Sequence, residues 1–177
     1  AAGNSGNWAP FHLHSEVNSD TAFTWFKYSS FYGAVFYELW ADLADFDSIQ
    51  FSIGADEPSS FNFRGQTPFD DISNRLNTVV TDTLKSISGN RLGVVQTWAE
   101  KKNGRYRLQV YIPNPDSSNY LFRFITAGTG SFDLWSSPNI GTSEIVYQGL
   151  PSSSLKPEMA QYRLPDIDQS MVSSWTC

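Results

Sequence analysis

The chain has one cysteine, few charged side chains and no long apolar run, and each shortage excludes a class of protein. Cys177 has no partner in the same chain, so a framework of intrachain disulfides is excluded. No stretch approaches the roughly 20 apolar residues that a membrane-spanning helix needs. Charged residues make up 17% of the chain and the net charge is −6, with no basic cluster. We therefore expect neither nucleic acid nor an anionic membrane surface as a partner.

Aromatic residues and strand-like segments are abundant instead. The 177 residues include thirteen Phe, eight Tyr and six Trp, enough for one domain with a sizeable core. Short runs alternate apolar with polar residues and end at Gly, Pro, Asp or Ser, which is typical of β-strands. The predicted strands are residues 22–29, 34–41, 46–53, 77–87, 94–100, 105–112, 119–126, 131–135 and 144–148.

Two glycine-containing segments predict how these strands are connected. Asn103-Gly104 stands between two alternating runs and predicts a tight hairpin, because both residues tolerate a positive φ. The buried face of its second strand would consist of Tyr106, Leu108, Val110 and Ile112. Residues 128–130 predict a second turn, which would pair 119–126 with 131–135. The pattern predicts an all-β fold, a two-sheet antiparallel sandwich that is jelly-roll-like.

The first six residues, Ala1-Ala2-Gly3-Asn4-Ser5-Gly6, carry a motif. They resemble the oxyanion-hole segment of the subtilisin-like serine proteases, the subtilases, in which the Asn amide donates to the oxyanion formed during peptide hydrolysis. The resemblance implies this catalytic role for Asn4 in a parent enzyme. Some subtilases, notably the clostridial germination proteases, follow this motif with a jelly-roll insert before the protease core resumes. The resemblance thus implies the same sandwich as the strand pattern.

The same resemblance implies a division of the chain. Residues 1–6 would belong to the protease core, residues 7–150 would form the jelly-roll insert, and residues 151–177 would be a linker back to the core. The chain lacks an initiator Met and a targeting segment, so we expect a piece of a larger protein. Within the linker, residues 151–165 are rich in Ser and Pro, and residues 166–174 predict a short helix.

The other subtilase motifs are missing. The chain has no D-[ST]-G motif, and His12 and His14 have no neighbouring Gly or Thr as in H-G-T-H. Gly141-Thr142-Ser143 matches the start of the nucleophile motif but continues with Glu144, so a turn explains it better than a nucleophile. The Asp-His-Ser triad would lie outside this piece, and we predict that the piece alone is inactive.

Two groups of side chains could in principle bind a metal ion, and an ordinary polar surface is the alternative for each. His12 and His14 would share one strand face, but three or four ligands are needed and the sequence supplies no further His or Cys partner. Carboxylates that could hold calcium are better explained as solvated loop residues, because no EF-hand spacing is present. These carboxylates are Asp42, Asp45, Asp47, Asp70 and Asp71. No metal or cofactor is therefore assigned.

Sugar-related sites have similar alternatives. Trp8, Trp98 and Trp135 could stack on sugar rings, although core packing is the default for Trp. Glu16, Glu38 and Glu100 could supply a glycosidase pair, but nothing in the sequence fixes their spacing.

The resemblance favours a non-catalytic β-sandwich insert of a bacterial, secreted or cell-surface subtilisin-like endopeptidase. Such an insert would brace the catalytic domain or limit substrate access. Its partners would be the parent's catalytic core and, through it, a peptide substrate, and we expect a monomer. The alternative is an independent carbohydrate- or protein-binding sandwich.

Overall fold

The computed structural model describes residues 11–136 and 143–166, and most of them lie in antiparallel strands. α1 is a single helical turn, Leu43–Phe46, and 3-10 turns cover Ile72–Arg75 and Pro157–Gln161. The predicted all-β sandwich is confirmed. The strands in the described part are β1 (His12–Phe26), β2 (Ala34–Asp42), β3 (Ile49–Asp56), β4 (Phe63–Gln66), β5 (Asp70–Asp71), β6 (Val80–Lys85), β7 (Arg91–Lys102), β8 (Arg105–Pro113) and β9 (Leu121–Trp135).

β9 belongs to both layers of the sandwich. Residues 121–128 pair with β3, and residues 133–135 pair with β2 on the same edge. β1 pairs with the opposite edge of β9 along almost its whole length. One layer is therefore β4-β3-β9-β1, and the other is β1-β9-β2-β8-β7-β6. Near β6 the second layer approaches β4, where the Ile87 amide donates to the Arg64 carbonyl at 2.8 Å, so the sandwich is nearly closed.

Two glycines let β9 pass close to a neighbouring segment where it changes layer. Gly128 and Gly130 have φ values of 133° and 151°. A Cβ would stand 2.1 Å from the Ser48 carbonyl oxygen at Gly128 and 1.7 Å from that of Asp45 at Gly130. Opposite them, β1 has an irregularity at Ser19. The predicted turn at 128–130 and its hairpin were wrong, because these glycines permit a close backbone approach within one strand.

The other predicted strands agree with the structure to different degrees. The hairpin at Asn103-Gly104 is confirmed, with φ values of 53° and 79°, and the predicted inward face of β8 is buried. β1 begins at His12, well before residue 22. β3 begins at Ile49, because residues 43–46 form the helical turn instead. In place of the predicted strand 144–148 there is one bridge, between Ile145 and Phe26.

The main core lies between the layers and is rich in aromatic rings. Phe26 and Tyr37 stack with ring centroids 3.8 Å apart, and Phe124 meets Phe132 edge to face at 6.0 Å. Such ring pairs contribute beyond the area that they bury. The described residues contain no helix long and apolar enough to span a membrane.

The outward side of β1 and β9 carries a second apolar cluster, which we call the covered face. Residues 144–163, the covering segment, lie over it and add Val146 and Tyr162 to the cluster. The Val146 amide donates to the Trp25 carbonyl and the Arg163 amide to the Phe23 carbonyl, both at 2.8 Å. Most of the predicted linker is thus part of the domain's packing, while the domain division stays a prediction. The buried members of the cluster are Phe23, Trp25, Leu121, Ile125, Val146 and Tyr162.

Candidate functional site

The two ends of the described fold meet at one place, which we call the neck. The Asp166 amide donates to the His12 carbonyl at 3.1 Å, and the Ser136 amide donates to the Phe11 carbonyl at 2.8 Å. The neck consists of Phe11, His12, Trp135, Ser136 and Asp166. The backbone at residues 11 and 12 is therefore adjacent to the backbone at residue 166.

A histidine and two carboxylates hold the neck together. The His12 ring is 2% exposed, lies 4.0 Å from the Trp135 ring, and hydrogen bonds to Asp166 through Nδ1. Its Nε2 lies 3.5 Å from Asp133 Oδ1. Burial works to lower the pKa of His12, but Asp133 and Asp166 outweigh it and raise the pKa above its ordinary value. The neck is thus held by an ion pair when His12 is protonated.

Asp133 links the neck to the turn end of the β7–β8 hairpin. His14 Nδ1 lies 2.9 Å from Asp133 Oδ1, and Arg105 Nη2 lies 3.5 Å from Asp133 Oδ2. Burial alone would raise the pKa of Asp133, but hydrogen bonds and charge from His12 and His14 hold it below its usual value. Within residues 11–136 and 143–166, no cluster of His, Cys, Asp or Glu has the composition and placement of a metal site. These contacts hold separate segments of the same chain together.

The residues predicted from protease motifs fall into two groups. Asn4 lies outside the described residues, as do Gly141, Thr142 and Trp8. Ser143 is described and is fully buried, and its Oγ accepts a hydrogen bond from the Phe36 amide at 3.2 Å. Neither histidine contacts that hydroxyl, so the described residues show no histidine base beside Ser143. Its role is to fix the chain beside β2.

The carboxylates considered for calcium are each held by protein donors where contacts are described. Asp42 pairs with Arg105 at 2.9 Å, and Asp45 accepts from Ser131 at 3.0 Å. Asp47 accepts from the Tyr106 hydroxyl at 2.6 Å, which with burial raises the pKa of Tyr106 to about 12. Asp70 pairs with Arg75 at 2.5 Å. Each of these four carboxylates thus has a protein partner for at least one oxygen.

The three glutamates considered for glycoside hydrolysis are separated into two places. Glu16 lies on β1, opposite Ser131. Glu38 and Glu100 are brought together by Arg107, which donates to Glu38 through Nε at 3.0 Å and to Glu100 through Nη1 at 3.1 Å. Burial works to lower the pKa of Arg107, but the two carboxylates raise it. Both carboxylates are thus engaged by one guanidinium.

Of the tryptophans considered for sugar stacking, Trp135 lies in the neck and Trp98 borders a surface cavity. The cavity, of about 260 Å³, lies on the outward side of β2, β8 and β7, which we call the open face. Sequence reasoning selected Trp98 but missed its neighbours. Because side chains alternate along a strand, Gln96, Gln109 and Tyr111 lie on the same face of the sheet as Trp98, but this follows only once the pairing of β7 with β8 is known. The lining residues are Tyr32, Phe36, Val79, Gln96, Thr97, Trp98, Gln109 and Tyr111.

Comparison with known proteins is informative about the fold. No protein-family model matches the chain, and no curated protein matches it in sequence. Among solved structures, the CspB protease of Clostridium perfringens matches with a TM-score of 0.55 at 14% identity. The match covers 85% of this chain and 29% of that chain, so this chain corresponds to less than a third of the protease. At this identity the likeness establishes a shared fold.

Proposed function

We propose that this chain is a non-catalytic β-sandwich insert of a subtilisin-like serine protease. The observation that carries the proposal is the unequal coverage of the structural match, 85% of this chain against 29% of a protease chain. A domain that corresponds to one portion of a protease is what an insert would be. The Ala1–Gly6 motif supports the same interpretation from the sequence. The parent would cleave peptide bonds with a triad outside this piece.

The neck supports insertion on physical grounds. A host tolerates an inserted domain when the two ends of the insert lie close together, because the host chain is then barely displaced. Here residues 12 and 166 are joined by a backbone hydrogen bond of 3.1 Å and by a side-chain contact. Asn4 precedes the neck by only a few residues, so the insert would emerge beside the oxyanion hole. From that position it would brace the catalytic domain or restrict which substrates reach the cleft.

The proposal is tested first by the coding sequence on both sides of this chain. We expect D-[ST]-G and H-G-T-H upstream and a nucleophile motif with its small residues and proline downstream. Flanks without these motifs would overturn the proposal. In a full-length enzyme, Asn4→Ala should lower kcat by about 10²–10³ with little change in KM, since the donor acts on the transition state. The isolated 177-residue chain should hydrolyse no peptide.

The role of the insert is tested by removing it. Residues 12–166 would be replaced by a short Gly-Ser linker, which suffices because the ends are adjacent. If the insert restricts access, cleavage of folded protein substrates should rise while cleavage of a small chromogenic peptide stays the same. If it braces the core, both activities and the melting temperature should fall together. An enzyme unchanged in all three respects would contradict both roles.

A further inference from the structure

We propose that the cavity on the open face binds an uncharged oligosaccharide, stacked on Trp98 and Tyr111 and hydrogen-bonded by Gln96 and Gln109. This site is distinct from the neck, and the proposal does not depend on the protease assignment. It rests on the arrangement of aromatic rings, the state of the two amides and the charge of the lining.

Strand register places rings and amides in alternating positions around the cavity. Gln96 on β7 pairs with Tyr111 on β8, and Trp98 pairs with Gln109, so each aromatic ring has an amide beside it. On the other side of β8, Phe36 pairs with Tyr111. A pyranose has apolar C–H faces and a rim of hydroxyls. Flat rings next to amides complement both parts of such a ligand.

The amides have hydrogen-bonding capacity to spare. Among the described residues, the half-buried Gln96 side chain has no hydrogen-bond partner, so its carbonyl and its amino group are both available. Gln109 Nε2 donates to Glu38 at 2.7 Å. This bond fixes the Gln109 side chain and leaves its carbonyl oxygen free to accept. A sugar hydroxyl both donates and accepts, so it can use either group.

The lining is uncharged, which selects the kind of ligand. None of the eight lining residues is acidic or basic. Arg107, two residues before Gln109 on β8, has its guanidinium bound by Glu38 and Glu100 and 5.6 Å from the Trp40 ring. Its charge is therefore neutralised within the protein, and the cavity has no group that would hold a phosphate, a sulfate or an acidic sugar. A neutral sugar needs none.

An added β-strand is a poor fit here. Such peptides pair with the free backbone groups of a sheet edge. The cavity lies on the face of the sheet, where β8 is hydrogen-bonded to β2 and β7 on its two sides. The remaining peptide class that favours Trp and Tyr grooves is the proline-rich helix. That class enters the test as a rival ligand.

The test uses the whole 177-residue chain and isothermal titration with cellotetraose, chitotetraose, maltotetraose and a proline-rich decapeptide. We expect at least one tetrasaccharide to bind. Trp98→Ala should abolish this binding, and Gln96→Leu, which keeps the size and removes both polar atoms, should weaken it about tenfold. Phe31→Ala is the matched control. Phe31 is 86% exposed, lies in the connection between β1 and β2 and does not line the cavity, so its removal should leave the affinity unchanged.

Three outcomes overturn the proposal. One is the absence of binding by every tetrasaccharide at millimolar concentration. The second is saccharide binding that survives Gln96→Leu and Trp98→Ala in variants that keep the far-ultraviolet spectrum of the wild type. The third is binding of the decapeptide alone, which would assign the cavity to a proline-rich partner. Because Gln96 has no hydrogen-bond partner among the described residues, Gln96→Leu should fold even if Trp98→Ala does not.

Discussion

The two outward faces of the sandwich carry similar residues, but one is covered by another segment of the chain and the other is partly exposed to solvent. The covered face has Trp25, Arg123 and a buried carboxylate, Asp56, and the open face has Trp98, Arg107 and a buried carboxylate, Glu38. On the covered face, residues 144–163 exclude water, and Trp25 is 0% exposed. On the open face, Trp98 and Tyr111 stay half-buried. An aromatic outward face becomes a second core where the chain returns over it and a binding surface where it does not.

The sharpest way to break this comparison is to truncate one tryptophan on each face. Trp25→Ala removes a fully buried ring that packs on Phe23 and Tyr162, and it should lower the free energy of unfolding by about 3–5 kcal/mol. Trp98→Ala removes a half-buried ring and should lower it by about 1 kcal/mol. Urea denaturation followed by circular dichroism measures both. Equal losses would mean that the open face is as much a core as the covered one.

Removing the cation on the covered face should have the next largest effect. Arg123 Nε lies 2.6 Å from Asp56 Oδ2, and Trp25 Nε1 donates to the same carboxylate. Burial raises the pKa of Asp56, and Arg123 opposes that rise. Arg123→Met leaves a buried unpaired charge, so it should lower the free energy of unfolding by about 3 kcal/mol at neutral pH.

The same variant gives a prediction about pH with a definite sign. With Arg123 gone, the folded-state pKa of Asp56 rises further above its unfolded value. Between the two pKa values the folded variant binds a proton that the unfolded chain releases. The loss in free energy of unfolding relative to the wild type should therefore shrink as the pH falls through that raised pKa. The double variant Arg123→Met, Asp56→Asn is the control, because it should lose less stability at neutral pH and its own stability should no longer depend on the titration of Asp56. A deficit that stays constant from neutral to acidic pH in the single variant would exclude the unpaired carboxylate as its cause.

Deleting one hydroxyl from each face gives a finer comparison. The Tyr162 hydroxyl donates to the Val146 carbonyl at 2.5 Å inside the covered face, and burial raises the Tyr162 pKa to about 12. Tyr162→Phe should therefore lower the free energy of unfolding by about 1 kcal/mol. Tyr111→Phe, whose hydroxyl has no partner among the described residues, should change it by less than about 0.5 kcal/mol. The reverse order would contradict the assignment of the faces.

The smallest expected effect concerns the neck, where the chain leaves the covering segment. Because its folded-state pKa is raised, His12 stabilises the fold below its unfolded pKa of about 6.5, and this contribution is lost as the pH rises through the folded pKa. His12→Gln should flatten that part of the pH profile of the melting temperature. A wild-type profile retained in His12→Gln would show that His12 does not contribute to the stability of the neck.

Local signals predicted the parts of the fold that depend on local chemistry. Asn103-Gly104 specifies a hairpin through its own backbone preferences, and the alternation of β8 gives its buried face without knowledge of any other strand. The turn predicted at Gly128 and Gly130 was wrong because the reason for these glycines is not local. The close approach that requires them comes from residues 45–48, which are far away in the sequence.

The candidate sites show the same limit. His12 and His14 lie two residues apart and so share one face of a strand, which favoured an ordinary polar strand face. The burial of His12 depends on Trp135 and Asp166, which long-range pairing brings to it. Trp98 was identified from its residue type alone. Gln96 and Gln109 are recognised as neighbours of the aromatic rings only from the register of β7 on β8, and local sequence does not determine that register.

The adjacency of Phe11, His12 and Asp166 has a consequence for the entropy of any chain that contains this domain. While the sandwich is folded, the two points at which it would join a host chain are held next to each other. When the sandwich unfolds, the same host must close a flexible loop of about 150 residues, which costs about 4 kcal/mol in chain entropy. The folded insert would thus stabilise its host without a single contact between them. Melting of the sandwich and melting of the host would be thermodynamically linked through the loop alone.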